Sequence, residues 1–521
     1  MTALRAYRGK KGLSRTLELI DTIITELLEK QRAGEHPRAS TEMLEAETRR
    51  RALGIALNDL FIAQDIIRAH MDGVLRKQAA AEVRQRYIES GIDRRIENKG
   101  WSPVSIVLPG GLRLKMKTPY LRPTRKGLVG RPRGSGKRGG GGVGAYPVLE
   151  RLGIEAGATP LTRSIVARQT VLCSSYAEAN EQLRRDGLSL DIDQMVRLAT
   201  HSGEKALELR DEALLAALDG PLPKQSMVAD QRIRVSVDGG RARTRRTDRQ
   251  AHKGKNGRRP FFLDWREPRV MTIDVLDDNG EMNRRWRPIY EVSLGDADRV
   301  FELLCGLLRL IGANQARQVV FVSDGAEWIW NRAEELFARA EVPREQVELV
   351  LDYYHATEHI AEALKACKSL KKAQRASFIR IFSKEMLEPN GPAGVIQKLR
   401  AFARGRRAKA MNKEIKYLVG HLEAGRLRYV ELRAMKVPIG SGVVESAVRR
   451  VVNLRFKSAS QCWCEETASG ERRLEGLMHL RAILKSGRWD EAMVAHLEVR
   501  HFLTPLLSAS SPEATTGDKV A

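Results

Sequence analysis

Three carboxylates stand where apolar runs of this sequence end, and their chemistry suits the binding of metal ions. Asp238 ends the run VSVD, Asp324 ends VFVSD, and Glu445 follows the segment IGSGVV. Carboxylate oxygens are hard ligands of the kind that Mg²⁺ and Mn²⁺ prefer. Two such cations held ~4 Å apart can activate an attacking oxygen on one side of a phosphorus atom and stabilise the leaving oxygen on the other. We therefore predict that Asp238, Asp324 and Glu445 hold two Mg²⁺ ions, for which Mn²⁺ can substitute.

Each of these acids also has a structural explanation. Asp238 precedes two glycines and could form a turn, while Glu445 lies in the first turn of a predicted helix, where the helix dipole favours an acid. Ser441 could cap that helix. The metal site is favoured by the order of elements, because Asp238, Asp324 and Asp352 all follow predicted strands, whose carboxyl ends gather ligands. Crowded acids raise one another's pKa, so we expect the ligand set to tighten when metal binds.

The overall charge of the chain indicates a polyanionic partner. Its 521 residues include 90 Lys and Arg against 65 Asp and Glu, which gives a formal net charge of +25. A positive field of this size favours nucleic acid over an acidic protein surface. We find no apolar run near the ~20 residues of a spanning helix and no signal peptide, so we expect a cytoplasmic protein with no membrane partner.

The first part of the chain is predicted to form two regions that lack candidate catalytic groups. A helical domain at 1–100 carries an aliphatic stripe that either closes a helical bundle or contacts a second copy of the chain, namely Leu13, Leu17, Ile20, Ile24 and Leu27. Residues 101–150 combine short strands with a basic, glycine-rich segment at 122–144. That segment either lies along a DNA backbone or serves as a solubilising linker.

A second helical region, at 151–225, contains a pair of helices separated by a turn at Gly187. Asp191 or Asp193 is predicted to open the second helix. The arrangement resembles a helix-turn-helix, which would place the second helix against DNA. Similar helix pairs also occur in proteins that do not bind DNA, so both interpretations remain open.

Residues 226–360 are predicted to form the first part of an α/β core. Five strands, RIRVSV, VMTIDV, IYEVS, QVVFVS and VELVL, are separated first by loops and then by amphipathic helices. This order suits a mixed five-stranded sheet with helices on both faces. A basic, helical stretch at 361–436 is too long for a loop and predicts an all-α insertion. Residues 437–490 complete the core with the Glu445 helix, and 491–521 form a helix and a loose tail.

The segments around the three acids resemble the DDE transposases of bacterial insertion sequences, in particular the branch related to the Mutator-like elements. The most specific matches are VDGG at Asp238, SDGAEWIW at Asp324, DYYHATEHI from Asp352 and GSGVVES at Glu445, within about residues 232–490. The resemblance implies a ribonuclease H-like core with a DDE triad. It also implies magnesium-dependent cleavage at the terminal inverted repeats of the element and strand transfer of the released 3′ ends.

The same branch carries a Cys or Asp, two residues and a His after its second aspartate, and Asp352 and His355 match this motif. The resemblance places His355 near the reacting phosphate or its flanking base, as an accessory residue together with Asp352. The alternative is a histidine that only holds the junction between strand and helix. Related bacterial enzymes often carry a zinc ribbon before the core, and this sequence has none, which leaves end recognition to the regions before residue 226.

The expected partners are the terminal inverted repeats and target DNA, both double-stranded, bound by a homo-oligomer that is a dimer when assembled on DNA. Phosphate contacts of this kind predict a steep loss of affinity with salt. The candidate DNA-binding residues are basic groups near Asp238, in the insertion and around the Glu445 helix: Arg241, Arg243, Arg245, Arg246, Lys253, Lys255, Arg404, Arg406, Arg407, Arg449, Arg455 and Lys457. Trp463 either stacks on an unpaired base or packs in the core.

Three functions follow from these features. The first is an active transposase that is associated with the bacterial nucleoid. The second is a catalytically inactive DNA-binding protein derived from a transposase, against which the three intact acids argue. The third is a nuclease that cleaves DNA without joining it.

Overall fold

The computed structural model describes residues 13–34, 39–89, 96–123, 144–248, 250–254, 257, 259–367, 369–403, 408–457, 462–463 and 468–498. The chain divides into two compact units, Met1–Ser202 and Gly203–Ala521. We call them unit 1 and unit 2. Among the described residues, no helix combines the length and the apolar character that crossing a membrane requires.

Unit 1 is built from helices and one long hairpin. Its elements are α1 (Leu13–Arg32), α2 (Ser40–Met71), α3 (Gly73–Glu89), β1 (Ile96–Val107), β2 (Arg113–Pro123), α4 (Pro147–Arg151), α5 (Pro160–Leu172), α6 (Tyr176–Arg185) and the first part of α7 (Ile192–Asp219). The buried carboxylate of Asp59 accepts hydrogen bonds from Gly110 N at 2.8 Å and Leu112 N at 3.0 Å, and so fixes the turn between β1 and β2. The predicted helices are present, and the extended runs form an antiparallel pair.

Parts of the N-terminal predictions lie outside the described residues. Of the aliphatic stripe on α1, only the Ile24 side chain is described, and it packs on the core of unit 1. Most of the glycine-rich basic segment, 124–143, also falls outside. The choice between a bundle and a second copy of the chain, and between a DNA contact and a linker, therefore stays open.

The predicted helix pair around Gly187 is confirmed as local structure. The turn at Gly187 has a φ of 89°, which a residue with a side chain rarely adopts. Asp191 opens α7, since its Oδ1 accepts a hydrogen bond from Gln194 N at 2.6 Å. The division between the two units falls within α7. The domain boundary predicted at residue 225 stays a prediction. Contact of this helix with DNA stays a prediction.

Unit 2 contains the α/β core. After the end of α7, its elements are β3 (Arg232–Gly239), β4 (Ala242–Thr247), β5 (Phe261–Arg266), β6 (Arg269–Leu276), β7 (Ile289–Ser293), α8 (Ala297–Ile311), β8 (Gln318–Ser323), α9 (Glu327–Arg339), β9 (Val347–Leu351), α10 (Tyr353–Ala366), α11 (Lys372–Glu385), α12 (Gly391–Phe402), α13 (Ala408–Glu423), α14 (Tyr429–Ala434), α15 (Gly442–Val448), α16 (Leu454–Phe456), α17 (Ala468–Lys485) and α18 (Trp489–Glu498). A π-helical turn at Arg449–Asn453 joins α15 to α16.

The five predicted core strands form one mixed sheet in the order β7-β6-β3-β8-β9. β8 runs parallel to β3 and β9 parallel to β8, while β6 is antiparallel to both β3 and β7. Every residue from Arg232 to Val237 is buried, so both faces of the sheet are covered. The mixed five-stranded sheet predicted from the sequence is therefore confirmed.

The helices that follow the strands have sequence signals at their ends. For example, α8 is capped by Asp296, whose side chain accepts a hydrogen bond from Arg299 N at 2.9 Å. Gly312, with a φ of 70°, ends it. The predicted insertion at 361–436 consists of the end of α10 and of α11 to α14, and its described residues contain no strand.

Candidate functional site

Asp238 and Asp324 lie side by side at one edge of the sheet. The parallel ladder of β3 and β8 ends at Val235 and Phe321, and its register, continued three residues further, places the two aspartates opposite each other on strands that are ~4.8 Å apart in a regular sheet. Ser323 Oγ donates a hydrogen bond to Val237 O at 2.7 Å, which keeps the two strands together up to this point. The predicted meeting of the two aspartates at a common edge is thus what the fold produces.

Asp352 follows β9 in the same row, but its carboxylate is already occupied. Oδ1 accepts a hydrogen bond from His355 N at 2.8 Å and caps α10, while Oδ2 accepts one from Ser441 N. The side chain is buried, and the Asp352 backbone N–H donates to Ser323 O at 2.9 Å. Asp352 therefore links this edge of the sheet to the segment that begins the Glu445 helix.

Glu445 lies in the first turn of α15, which packs on β3 and β6. Its side chain is exposed, and Ser441 Oγ donates a long hydrogen bond of 3.4 Å to its Oε1. The prediction that Ser441 caps this helix with its side chain is wrong, because the hydroxyl makes this contact instead. Gly240 lets the helix approach, since a Cβ there would lie 2.9 Å from Val452 Cγ1.

The three acids do not form a finished ligand set. Among the described residues, no three Asp, Glu, His or Cys side chains are arranged to hold one metal ion. The two aspartates share the edge, and Glu445 stands at its exposed rim. The expectation that all three converge within a few ångströms is not met in this structure, and the metal site stays a prediction.

Burial raises the pKa of Asp238 to about 6. The hydrogen bond from Gly239 N to Asp238 Oδ1, at 2.6 Å, acts against this shift, and so does the nearby His355. The charges of Asp324 and Glu445 act with it and raise the pKa further. Both acids therefore lie within electrostatic reach of Asp238, and no described Lys or Arg forms an ion pair with it.

The pKa of Asp324 is also raised, again mainly by burial. A hydrogen bond from Ala326 N to Oδ1 at 3.2 Å and the charge of His355 oppose the shift, while Glu267 and Asp352 reinforce it. Two neighbouring acids that pair with no Lys or Arg among the described residues match the donor chemistry of a divalent metal site.

His355 occupies the first turn of α10. Its backbone N–H is fixed by Asp352, and its ring lies 3.4 Å from Glu358 Oε2. The ring is close enough to the aspartates to lower the pKa of both. The alternative prediction was that His355 holds the junction between strand and helix, and its backbone N–H does this. A role of its ring at the reacting phosphate stays a prediction.

The helical insertion reaches the same edge through Tyr417 of α13. A Cβ on Gly325, directly after Asp324, would lie 1.4 Å from Tyr417 Oη, so only glycine fits there. His359 stacks on Tyr417 with the ring centroids 3.6 Å apart. The Tyr417 hydroxyl is buried and has no hydrogen-bond partner among the described residues. The sequence analysis missed Tyr417, for which the glycine after Asp324 was the available signal.

The predicted DNA-binding residues divide into three groups. Arg241, Arg245, Arg246, Lys253, Arg449 and Lys457 are exposed, and Arg243 is half-buried. Lys255, Arg404, Arg406 and Arg407 lie outside the described residues. The prediction for Arg455 is wrong in this structure, because its side chain is buried with the guanidinium carbon 4.3 Å from the centre of the Trp463 ring.

Trp463 packs inside unit 2. Its ring lies 4.7 Å from that of Phe456, centroid to centroid, and its backbone N–H donates to Arg243 O at 3.1 Å. These contacts favour the core interpretation of Trp463 over stacking on a base.

Comparisons with known proteins add little to this description. No family model matches the chain, and no curated protein matches it. A structural match is found to the Drosophila P element transposase strand transfer complex, with 11% sequence identity and a TM-score of 0.22. It covers 70% of this chain and 86% of that one. A match with so low a TM-score carries no argument.

Proposed function

We propose that this protein is a metal-dependent transposase that cleaves DNA at the ends of an insertion sequence and transfers the released strand to target DNA. The observation that carries the proposal is the pair of half-buried aspartates, Asp238 and Asp324. They lie at the carboxyl ends of adjacent parallel strands, and no described Lys or Arg forms an ion pair with either of them, while His355 offsets only part of the rise in their pKa values. Glu445 stands within electrostatic reach of this pair.

The sheet is of the kind that the resemblance to DDE transposases requires. A ribonuclease H-like core was expected to be a mixed five-stranded sheet covered on both faces, and this is the arrangement of β7-β6-β3-β8-β9. Asp238 lies at the end of its first strand and Asp324 follows its fourth, in chain order and counting only the strands of this sheet. The net charge of +25 supports a nucleic acid as the substrate.

In the proposed mechanism, Asp238 and Asp324 would hold divalent cations, and Glu445 would complete the ligand set. When bound, the cations supply positive charge at the scissile phosphate and at the attacking and leaving oxygens. Asp352 positions α15 through Ser441 N, so that Glu445 stays at the edge. The exposed arginines hold the DNA backbone in register without reading its sequence.

A strand-cleavage assay tests the proposal. A supercoiled plasmid that carries the DNA bordering this reading frame is incubated with the full chain in Mg²⁺. We expect nicked and strand-transfer products with the natural protein and none with Asp324→Asn. The matched control is Asp278→Asn, whose side chain is 93% exposed in the loop after β6, at the other end of the sheet.

The products distinguish the other two functions. Binding without cleavage in Mg²⁺ or Mn²⁺ would identify an inactive DNA-binding protein. Cleavage without a joined product on the same gel would identify a nuclease that does not transfer strands. Cleavage that survives Asp324→Asn would remove the aspartates from the mechanism.

A further inference from the structure

The strands β4 and β5 form a two-stranded arm that extends the sheet beyond the candidate catalytic edge. The ladder between β3 and β6 ends at Gly239, opposite Arg269. Gly240 N then donates to Pro268 O at 2.7 Å, and β4 and β5 continue as a separate antiparallel pair. Six paired residues span ~17 Å at ~3.3 Å each, so the arm starts beside Asp238 and leads away from it.

One face of the arm is a row of exposed apolar side chains. Phe261, Leu263 and Trp265 alternate along β5, and so share a face, with exposures of 48%, 53% and 46%. Across the ladder, Arg243 lies opposite Trp265, with its guanidinium carbon 5.2 Å from the ring centre. Arg245 lies opposite Leu263 and 5.7 Å from the centre of the Phe261 ring.

The base of the arm is anchored. Arg266 forms an ion pair of 3.1 Å with Glu471 of α17, and Arg243 O accepts a hydrogen bond from Trp463 N. Asp264 and Asp248 are the acids between 241 and 266, against ten Lys and Arg. Large apolar side chains in water mark an interaction surface, and this charge balance selects a polyanion as the partner rather than a second copy of this basic chain.

We infer that the apolar face of the arm stacks on unpaired DNA bases next to the candidate cleavage edge, while its arginines hold the phosphates. Aromatic rings interleaved with arginines are the chemistry by which proteins bind single strands, because each base presents a flat face to a ring. In an intact duplex the bases are stacked on one another, so their faces are not accessible to the side chains of the arm. This inference rests on the proposed function, which supplies DNA as the ligand. It adds that the protein prefers DNA ends that carry unpaired bases.

The preference can be measured without catalysis. Fluorescence anisotropy in EDTA compares a labelled blunt duplex with the same duplex carrying an unpaired tail. We expect the natural chain to bind the tailed probe at least about ten-fold more tightly, as stacking of a few bases allows. Trp265→Ala should lose most of this preference while its affinity for the blunt duplex changes little.

Two further variants provide a second test of the arm and a matched control. Phe261→Ala removes the ring at the outer end of the arm, and should reduce the preference even if Trp265→Ala fails to fold. Trp101→Ala is the matched control, because Trp101 is 52% exposed with Arg76 over its ring but lies in unit 1. It should keep the preference.

Equal affinity of the natural chain for both probes, or a preference that survives both arm variants, would overturn the inference. Self-association without DNA that is lost in Trp265→Ala, measured by sedimentation, would assign the face to a second copy and overturn it as well. A preference for the tailed probe in a protein that does not cleave in Mg²⁺ would support the arm and defeat the proposed chemistry, so the two failures are distinguishable.

Discussion

Unit 2 shields acids from water in two places, fully at Glu291 and partly at Asp238 and Asp324, and treats them in opposite ways. Glu291 of β7 is 2% exposed, with Arg210 Nη1 at 3.1 Å and His479 Nδ1 at 2.9 Å. Burial acts to raise the pKa of Glu291, but His479 and Arg210 outweigh it and hold the pKa at about 2. At the sheet edge, Asp238 and Asp324 receive no such partner among the described residues, and their pKa values rise.

The difference shows where the chain tolerates an unfavourable charge. An uncompensated buried carboxylate lowers the free energy of unfolding, whereas a carboxylate paired with arginine and histidine does not have to be neutralised. The core compensates Glu291 with its own side chains. The raised pKa values of Asp238 and Asp324 are what we expect of a site whose positive charge is supplied by a bound cation.

The largest effect is expected from breaking the compensated cluster. Glu291→Gln leaves the guanidinium of Arg210 buried with one charged partner fewer, and should lower the free energy of unfolding by ~3–5 kcal/mol. Urea denaturation at neutral pH measures it. Glu431→Gln is the control, because Glu431 pairs with Arg428 on the surface and its side chain is 63% exposed. Equal, small losses for both variants would contradict the comparison.

The opposite change is expected at the candidate catalytic edge. Between pH 3.8 and about 6, folded Asp238 keeps a proton that the unfolded chain releases, so the free energy of unfolding falls as pH rises through this window. In EDTA, Asp238→Asn should therefore be more stable than the natural chain by ~2–3 kcal/mol at pH 8, with no gain at pH 4. Denaturation curves across this pH range, with Asp278→Asn as the control, measure the difference. A gain that is the same at all pH values would contradict the assignment.

A smaller effect is expected from Asp352→Asn. Its two oxygens accept from His355 N and Ser441 N, and an amide can serve only one of them. The free energy of unfolding should fall by ~1–2 kcal/mol. Because Ser441 positions α15, strand cleavage in Mg²⁺ should fall much more than that of a surface variant with the same loss of stability. Unchanged cleavage would show that Asp352 does not position Glu445.

The smallest effect is expected at Tyr417. Its buried hydroxyl has no hydrogen-bond partner in the part of the chain that the structure describes, so Tyr417→Phe should leave the stability of the metal-free chain within ~1 kcal/mol or raise it slightly. Tyr429→Phe is the matched comparison, because the Tyr429 hydroxyl is buried and donates to Leu351 O at 3.0 Å. It should lose about 1 kcal/mol. A large loss for Tyr417→Phe in thermal unfolding would show that its hydroxyl has a partner.

The core strands could be predicted because their signal is local. QVVFVS and VELVL are continuous apolar runs between polar breakers, and β8 and β9 have the predicted bounds. The row of Asp238, Asp324 and Asp352 then followed from strand order. The hydrogen bond between Asp352 and Ser441 joins segments that are far apart in the chain, so no local sequence pattern predicts it.

Two predictions made from charge differ from the structure: the loop assigned to the basic run that contains β4, and the DNA contact assigned to Arg455. The basic run after Asp238 was interpreted as a loop, since charged residues are depleted in strands, although FFLDW has the aromatic residues of a strand. Pairing of Arg243 with Trp265 across the ladder makes β4 possible. Arg455 was assigned to DNA by its charge alone, while its burial against Trp463 depends on tertiary packing.

The most direct test of the account is the binding of Mn²⁺ to the metal-free chain at pH 7.5. Electron paramagnetic resonance follows the loss of the signal of unbound Mn²⁺ in the natural chain and in the double variant Asp238→Asn, Asp324→Asn. If the uncompensated aspartates form a cation site, the natural chain binds Mn²⁺ and the double variant loses that binding, while Asp278→Asn keeps it. Identical titrations of the natural chain and the double variant would contradict the account.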